Sequence, residues 1–313
     1  MKKTIPYLVV LLIALVALWW WLGKREEVRQ RGAVPEAAGF ADSLTVSRFV
    51  LGRHNQPDIV IEKDPDGVWV LTEPVKDRAN LNLVRQLIQG VSTMKLLVRV
   101  SSRSSQFASF EIDQVQGARL KSYAGDQLAS DLYIGKLSPD AQHVYIRQEG
   151  RDEAYTATGG GAMSALRTRA ANDFRDRQIY SFELADVDSL DVEGDGIQYR
   201  YARADTASWR VSVRGGPYKN ADQPTAQSTI RAMGALRASG FYDDTTSIDW
   251  SRPLLVVRAW KLGGRVDKLE FVKIGEENNH WVRAEGNPHI YKVFQSAFQT
   301  FKRDPKTLAG PAS

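Results

Sequence analysis

Apolar and polar positions alternate with a period of two over residues 44–51, 59–61 and 68–71, and Asp64-Pro65-Asp66-Gly67 separates the last two runs. Beta-branched alternation punctuated by Pro, Asp and Gly predicts a meander of strands. The period changes over residues 80–94, where Leu83, Leu87, Ile88, Val91 and Met94 fall on one stripe. That spacing predicts an amphipathic helix with its N-cap at Asn80 or Asn82. Strand patterns then return at residues 119–123, 129–134, 143–148 and 154–157.

About 140 residues later the chain runs through the same order again. Predicted strands at 190–192, 199–201 and 209–213 precede a predicted helix at 224–238, whose Ile230, Met233 and Leu236 face inward and which Gly240 closes. Strands follow at 254–260, 268–274, 280–284 and 290–293. Trp69 answers to Trp209, Pro74 to Pro217, Ile134-Gly135 to Ile274-Gly275 and Tyr155 to Tyr291. Arg147-Gln148-Glu149-Gly150 answers to Arg283-Ala284-Glu285-Gly286, and His143 is matched with His280. The expected fold is therefore α+β: tandem duplicated antiparallel β-sheet units, each with one inserted helix. Gly159-Gly160-Gly161 reads as a turn and residues 162–180 as a helix leading into the second unit. One helix covers one sheet face, so the other face must meet water, the other unit or a partner.

Residues 4–23 contain no charge and, as a helix, would span roughly 30 Å, the thickness of a bilayer core. The run ends in Trp19, Trp20 and Trp21, followed by Lys24 and Arg25, an arrangement expected of an interfacial belt. A cleavable signal peptide competes with this reading, but such a peptide wants small residues after a shorter apolar core. The expectation is an uncleaved single span. The resulting division is a cytoplasmic stub and transmembrane anchor (1–23), a juxtamembrane linker (24–43), two repeats (44–180 and 181–301) and a flexible tail (302–313) holding Pro305 and Pro311.

Residues 1–31 carry six basic and two acidic side chains, so +4 of the formal net charge of +5 flanks the apolar run. Nucleic acid is not an expected partner, because its binding needs a basic face on the folded part. Charge counting leans toward a cytoplasmic C-terminal part, whereas a short basic N-terminus before the first apolar run is the layout of an exported signal anchor. Export is the reading adopted: inner (cytoplasmic) membrane, with the bulk of the chain in the periplasm or another extracytoplasmic space. The chain has no cysteine, which excludes disulfides, thiolate metal sites and lipid modification at cysteine.

Gly67-Val68-Trp69-Val70-Leu71 with Pro74, the helix to Met94, Ile134-Gly135, and Val144-Tyr145-Ile146-Arg147 with Gly150 and Tyr155 resemble the domain of unknown function DUF4340. The resemblance covers most of residues 44–293 and rests on structural motifs. It implies a membrane-anchored envelope protein, a companion of ABC-type transport systems, and no catalytic residue to carry over.

Chemical motifs are sparse. Ser92-Thr93-Met94-Lys95 matches the Ser-x-x-Lys element of penicillin-recognising enzymes, in which a lysine one helical turn away deprotonates the serine, and Tyr218-Lys219-Asn220 could add a Tyr-x-Asn element. The Lys-Thr-Gly strand is missing, since Lys306-Thr307-Leu308 lacks the glycine. Asp186, Asp188, Asp191, Glu193 and Asp195 lack the spacing and glycine of a calcium loop. His54, His143, His280 and His289 have no close-spaced pairing for a metal, and no glycine run has the lysine of a phosphate loop. Trp69 and Trp209 read as core residues, and the Arg-x-Glu-Gly segments as hairpin turns. No cofactor is expected. The function expected is a non-enzymatic, membrane-anchored accessory subunit of an ABC-type transport system. The alternatives are a serine acyl transferase or hydrolase using Ser92 and Lys95, and a module binding cell-wall or glycan fragments between the repeats.

Overall fold

The computed structural model describes Val16, Phe40 and residues 42–243, 248–273 and 279–311. Among the described residues no helix is long and apolar enough to cross a membrane. The expected belt of Trp19, Trp20, Trp21, Lys24 and Arg25 lies outside them. The chain divides into two compact units between Asp176 and Arg177.

The first unit contains β1 (Arg48–Arg53), β2 (Gln56–Lys63), β3 (Trp69–Glu73), β4 (Asp77–Arg78), helix α1 (Leu81–Thr93), β5 (Leu96–Ser101), α2 (Phe107–Phe110), β6 (Ala118–Ala124), β7 (Gln127–Leu137), β8 (Val144–Gln148), β9 (Ala154–Ala157) and α3 (Gly160–Ser164). The second contains β10 (Val187–Gly194), β11 (Ile197–Arg203), β12 (Trp209–Val213), β13 (Lys219–Asn220), α4 (Gln223–Gly234), β14 (Gly240–Tyr242), β15 (Leu255–Lys261), β16 (Val266–Val272), β17 (Asn279–Ala284), β18 (Ile290–Phe294) and α5 (Gln295–Phe301). Among the described residues each unit is one antiparallel sheet of nine strands, and the two strand orders are the same: β4-β3-β2-β1-β6-β7-β8-β9-β5 and β13-β12-β11-β10-β15-β16-β17-β18-β14. The fold is a mostly-β α+β architecture.

In both sheets the strand before the helix lies at one edge and the strand after it at the other. Eight interstrand spacings of about 4.8 Å would set the edges of a flat sheet roughly 38 Å apart. The 13 residues of α1 reach about 20 Å, and the extended residues at its two ends complete the crossing from one edge to the other. Leu83, Val84, Leu87 and Val91 of α1 accordingly share one buried cluster with Phe49, Ile61, Leu71, Leu120, Ile134 and Ile146 from the facing strands. Asn80 starts the helix, its side-chain oxygen accepting from the Asn82 and Leu83 amides at 3.2 and 3.4 Å. Asp222 does the same for α4, accepting from Thr225 N–H at 3.0 Å.

The registers correspond at the centres of the sheets, although β2–β3, β6–β7 and β7–β8 carry irregularities that their counterparts lack. Ile61 faces Leu71 where Tyr201 faces Val211, and Ile146 faces Tyr155 where Val282 faces Tyr291. Trp69 and Trp209 are both buried, each under a cation from the preceding strand: Lys63 Nζ lies 5.4 Å from one ring and the Arg203 guanidinium 4.8 Å from the other.

Each unit is then closed by a returning arm. The Asn80 amide donates to the Phe174 carbonyl (2.7 Å) and the Asp222 amide to the Leu308 carbonyl (2.8 Å), while Ala79 bridges Arg175 and Ala221 bridges Ala309. This arm differs from the expected connecting helix over 162–180, which reduces to α3 and two short 3₁₀ turns before the chain extends. There the backbone pairs with residues 78–80 instead of with itself, and Arg175, fully buried, meets Asp77 at 2.7 Å. Residues 302–313 were expected to fray, yet Leu308 is fully buried. The second unit also begins earlier than residue 181: Ile179 is part of its core, and its amide donates to the Leu236 carbonyl at 3.0 Å. That pairing, with Ala238 N–H donating to Arg177 (2.7 Å), draws residues 235–238 out of the helix expected there.

Leu308→Ala is expected to destabilise the second unit by about 2–5 kcal/mol, and Asp222→Ala by about 1 kcal/mol. Urea unfolding followed by tryptophan fluorescence measures both. A Leu308→Ala midpoint equal to that of the parent chain would show that the arm does not hold the core.

Candidate functional site

The Ser92 hydroxyl donates to the Ile88 carbonyl one turn back (2.7 Å), the usual use of a serine late in a helix. The chain leaves the helix at Met94, which is extended (φ −62°, ψ 128°), so exposed Lys95 does not follow Ser92 on a helical turn. The acids of the second unit are dispersed among partners. Asp191 meets Arg200 at 3.3 Å and accepts from Trp260 Nε1 at 3.2 Å, Glu193 lies 3.6 Å from Arg258, and Asp195 pairs with Lys302. Asp186 accepts from the Glu183 amide (2.9 Å). Among the described residues no group of three or more His, Asp or Glu side chains could hold a metal ion.

The pairing of His143 with His280 is corrected by the register. Because Ile146 corresponds to Val282, His280 takes the place of buried Val144. His143 lies outside β8, its Nδ1 2.7 Å from Asp140 Oδ2 on the surface. His280 is 3% exposed and stacks on Phe298 at 3.9 Å with the rings nearly parallel, and its Nδ1 has no hydrogen-bond partner. Parity along a strand decides the difference, since neighbours point to opposite faces.

The face of each sheet away from its helix carries charge and aromatic rings. On the first, one cross-strand row runs Arg119, Tyr133, Arg147 and Ala154. Arg147 is 5% exposed, its guanidinium 3.7 Å from the Tyr133 ring and 4.7 Å from Phe107. Its Nε donates to the Ile112 carbonyl and its Nη1 to Glu149, both at 2.8 Å. Arg119 forks onto Asp131 at 2.8 and 2.7 Å, which holds its guanidinium above the ordinary arginine value. Segment 104–117 lies over this row, with Ile112 fully buried. Gly135 permits the approach: a Cβ there would lie 2.3 Å from the Phe110 carbonyl oxygen. The register that sets Glu270 in the place of Tyr133 puts Val272, not Gly275, at the position of Gly135, so the sequence matching of Ile134-Gly135 with Ile274-Gly275 is corrected by three residues.

The second sheet repeats the design with other residues. Arg283, at the position of Arg147, pairs with Glu270 where the first sheet has Tyr133, and it lies 4.8 Å from the Trp250 ring. Burial alone would raise the Glu270 carboxyl, but hydrogen bonds from Lys268 and Arg283 outweigh it and hold the group below its usual range. The Arg-x-Glu-Gly segments are hairpin turns as expected, with Gly150 and Gly286 at φ 75° and 77°. Their arginines also hold the chain that crosses the second face, a role that a linear motif does not announce.

Open depressions mark these surfaces. One of about 520 Å³ lies beside Arg147 between Phe107, Asp113 and Arg151, and one of about 320 Å³ lies among Asp191, Arg200, Ser212, Tyr218 and Arg258. A third, of about 310 Å³, is lined by Phe40, Leu96, Ile146 and Tyr155. Residues 69–251, from Trp69 in β3 into the second unit, match the family described as Domain of unknown function (DUF4340). The chain belongs to this family. No curated protein and no solved structure matches it. The DUF4340 match thus spans α1, the arm at Phe174 and the opening half of the second sheet.

Two outcomes follow for this DUF4340 chain. Arg147→Ala is expected to speed amide exchange in residues 104–117 by about tenfold or more, because a buried ion contact and a carbonyl partner are lost together. Exchange unchanged in that segment would remove Arg147 as its clasp. Burial lowers the His280 value below the ordinary 6.5, Lys273 and Lys302 adding to the effect and Asp195 opposing it. The unfolded chain therefore binds the proton first: stability is full above pH 6.5 and falls as pH drops through 6.5 toward the folded value. His280→Phe should flatten that part of the stability–pH curve, and a slope that persists in the variant would assign it elsewhere.

Proposed function

We propose that this chain is a non-enzymatic, membrane-anchored envelope protein that acts as an accessory or interaction subunit of an ABC-type transport system. The observation that carries the binding half of this reading is the broad outer sheet face of each unit. There arginines pair with carboxylates and rings on neighbouring strands beside open depressions. Such mixed charged and aromatic surfaces suit protein recognition. The membrane half rests on the apolar run 4–23, with its Trp19, Trp20, Trp21, Lys24 and Arg25 belt, and the transport half on the family resemblance. In this reading the two units are copies of one ancestral unit, displayed on the exported side of the inner membrane by a single span. The common strand order and the matched tryptophan–cation pairs support that descent.

Affinity purification of the full chain from detergent-solubilised membranes is expected to recover an ATPase or permease subunit of an ABC-type system. Recovery of the bait alone, under conditions that keep known transport complexes intact, would overturn the reading. A C-terminal alkaline phosphatase fusion should be active if the chain is exported, and inactivity of an intact fusion would reverse the orientation.

A further inference from the structure

The four sheet edges differ in what they offer. Among the described residues β4 and β13 have two residues each and β14 three, whereas β5 has six and pairs on one side only, with β9. Natural edges of that length are usually blunted by charge, proline or cover, because their unpaired amides and carbonyls template another strand. β5 carries Leu97 and Val98 at 37% and 46% exposure. Arg99 lies on it and Lys95 and Arg103 flank its two ends; none of the three forms an ion pair among the described residues, and no acidic residue occurs between Lys95 and Phe110.

We propose that β5 is a docking edge that accepts an extended segment of a partner protein, rich in apolar and acidic residues, as an added antiparallel or parallel strand. Strand addition draws affinity from main-chain hydrogen bonds and specificity from pockets that take alternate side chains. Such a pocket adjoins the edge: the 310 Å³ depression has Leu96 of β5, Tyr155 of β9, Ile146 of β8 and Phe40 as its apolar lining, with Arg151 and Glu153 adding one charge of each sign. Charge selects the occupant. A second copy of this chain would set Lys95, Arg99 and Arg103 against the same three cations, whereas an acidic segment neutralises them. The inference rests on the reading of the chain as an interaction subunit and names the surface and the chemistry of its partner.

The test uses the full chain in detergent and a short fluorescein-labelled peptide alternating valine and glutamate, with a valine–lysine peptide as control. Fluorescence anisotropy should show binding of the acidic peptide that weakens with salt, and at least about tenfold weaker binding to a Lys95→Glu, Arg99→Glu, Arg103→Glu variant of unchanged thermal stability. Hydrogen exchange should show new protection at the amides of β5. Equal binding of both peptides, protection only at other strands, or a β5-mediated homodimer in cross-linking would each overturn the proposal. Membrane purification separates the two levels. A partner recovered equally by the parent and the charge-reversed variant leaves the interaction reading standing and removes β5. A parent chain that recovers nothing removes the interaction reading, while the peptide experiment still decides β5.

Discussion

Everything in each unit follows from a helix that must reach from one edge of a nine-stranded sheet to the other. A helix of 12 or 13 residues with extended chain at both ends makes that crossing, and the sheet face beneath it becomes one continuous core. The start of the helix is then the point most in need of anchoring. Asn80 and Asp222 supply the cap, and the Phe174 and Leu308 carbonyls take the cap residue's own amide. The arm that provides this carbonyl also covers the end of the core, which explains why residues outside the repeated pattern are among the most buried. In the first unit Arg175 and Asp77 add a buried ion pair, the kind whose disruption costs about 3–5 kcal/mol because one charge is left unpaired.

The outer face obeys a different rule. With the helix on the inside, the outer side chains need not be apolar, and both sheets use arginine as the organising residue. Arg147 and Arg283 occupy the same place in the register but are held differently, one by two rings and Glu149 on its own strand end, the other by Glu270 across the strands with one ring nearby. Guanidinium accepts either environment, since it stacks on aromatic faces as readily as it forks onto a carboxylate. The two outer faces therefore share a frame and differ in chemistry. The free edge of β5 adds a third kind of surface, one of unpaired backbone groups with cations beside them.

Legibility in the sequence tracked the range of the interactions. The α1 stripe of Leu83, Leu87 and Val91 and the strands around Trp69 and Trp209 were plain, because period and β-branching are local. β5 and β14 were not, since each is a strand only by virtue of β9 and β18 beside it. The matching of His143 with His280 failed by one residue, and in a strand one residue exchanges surface for core. Ser92 and Lys95 have the spacing of a catalytic pair, but the helix ends between them. Nothing local to Arg147 or Ile112 indicated that they meet, 35 residues apart, to pin segment 104–117.

By itself the sequence determined the repeated order of elements, the family, and the inward stripes of both helices, because these depend on periodicity and on turn residues that act within a few positions. Tertiary structure alone decided which strands became edges, where the closing arms went and which charges were matched across the outer faces. Those outcomes depend on contacts between residues far apart in the chain: a buried amide takes whichever carbonyl the fold delivers, and an edge is free only when no other strand arrives.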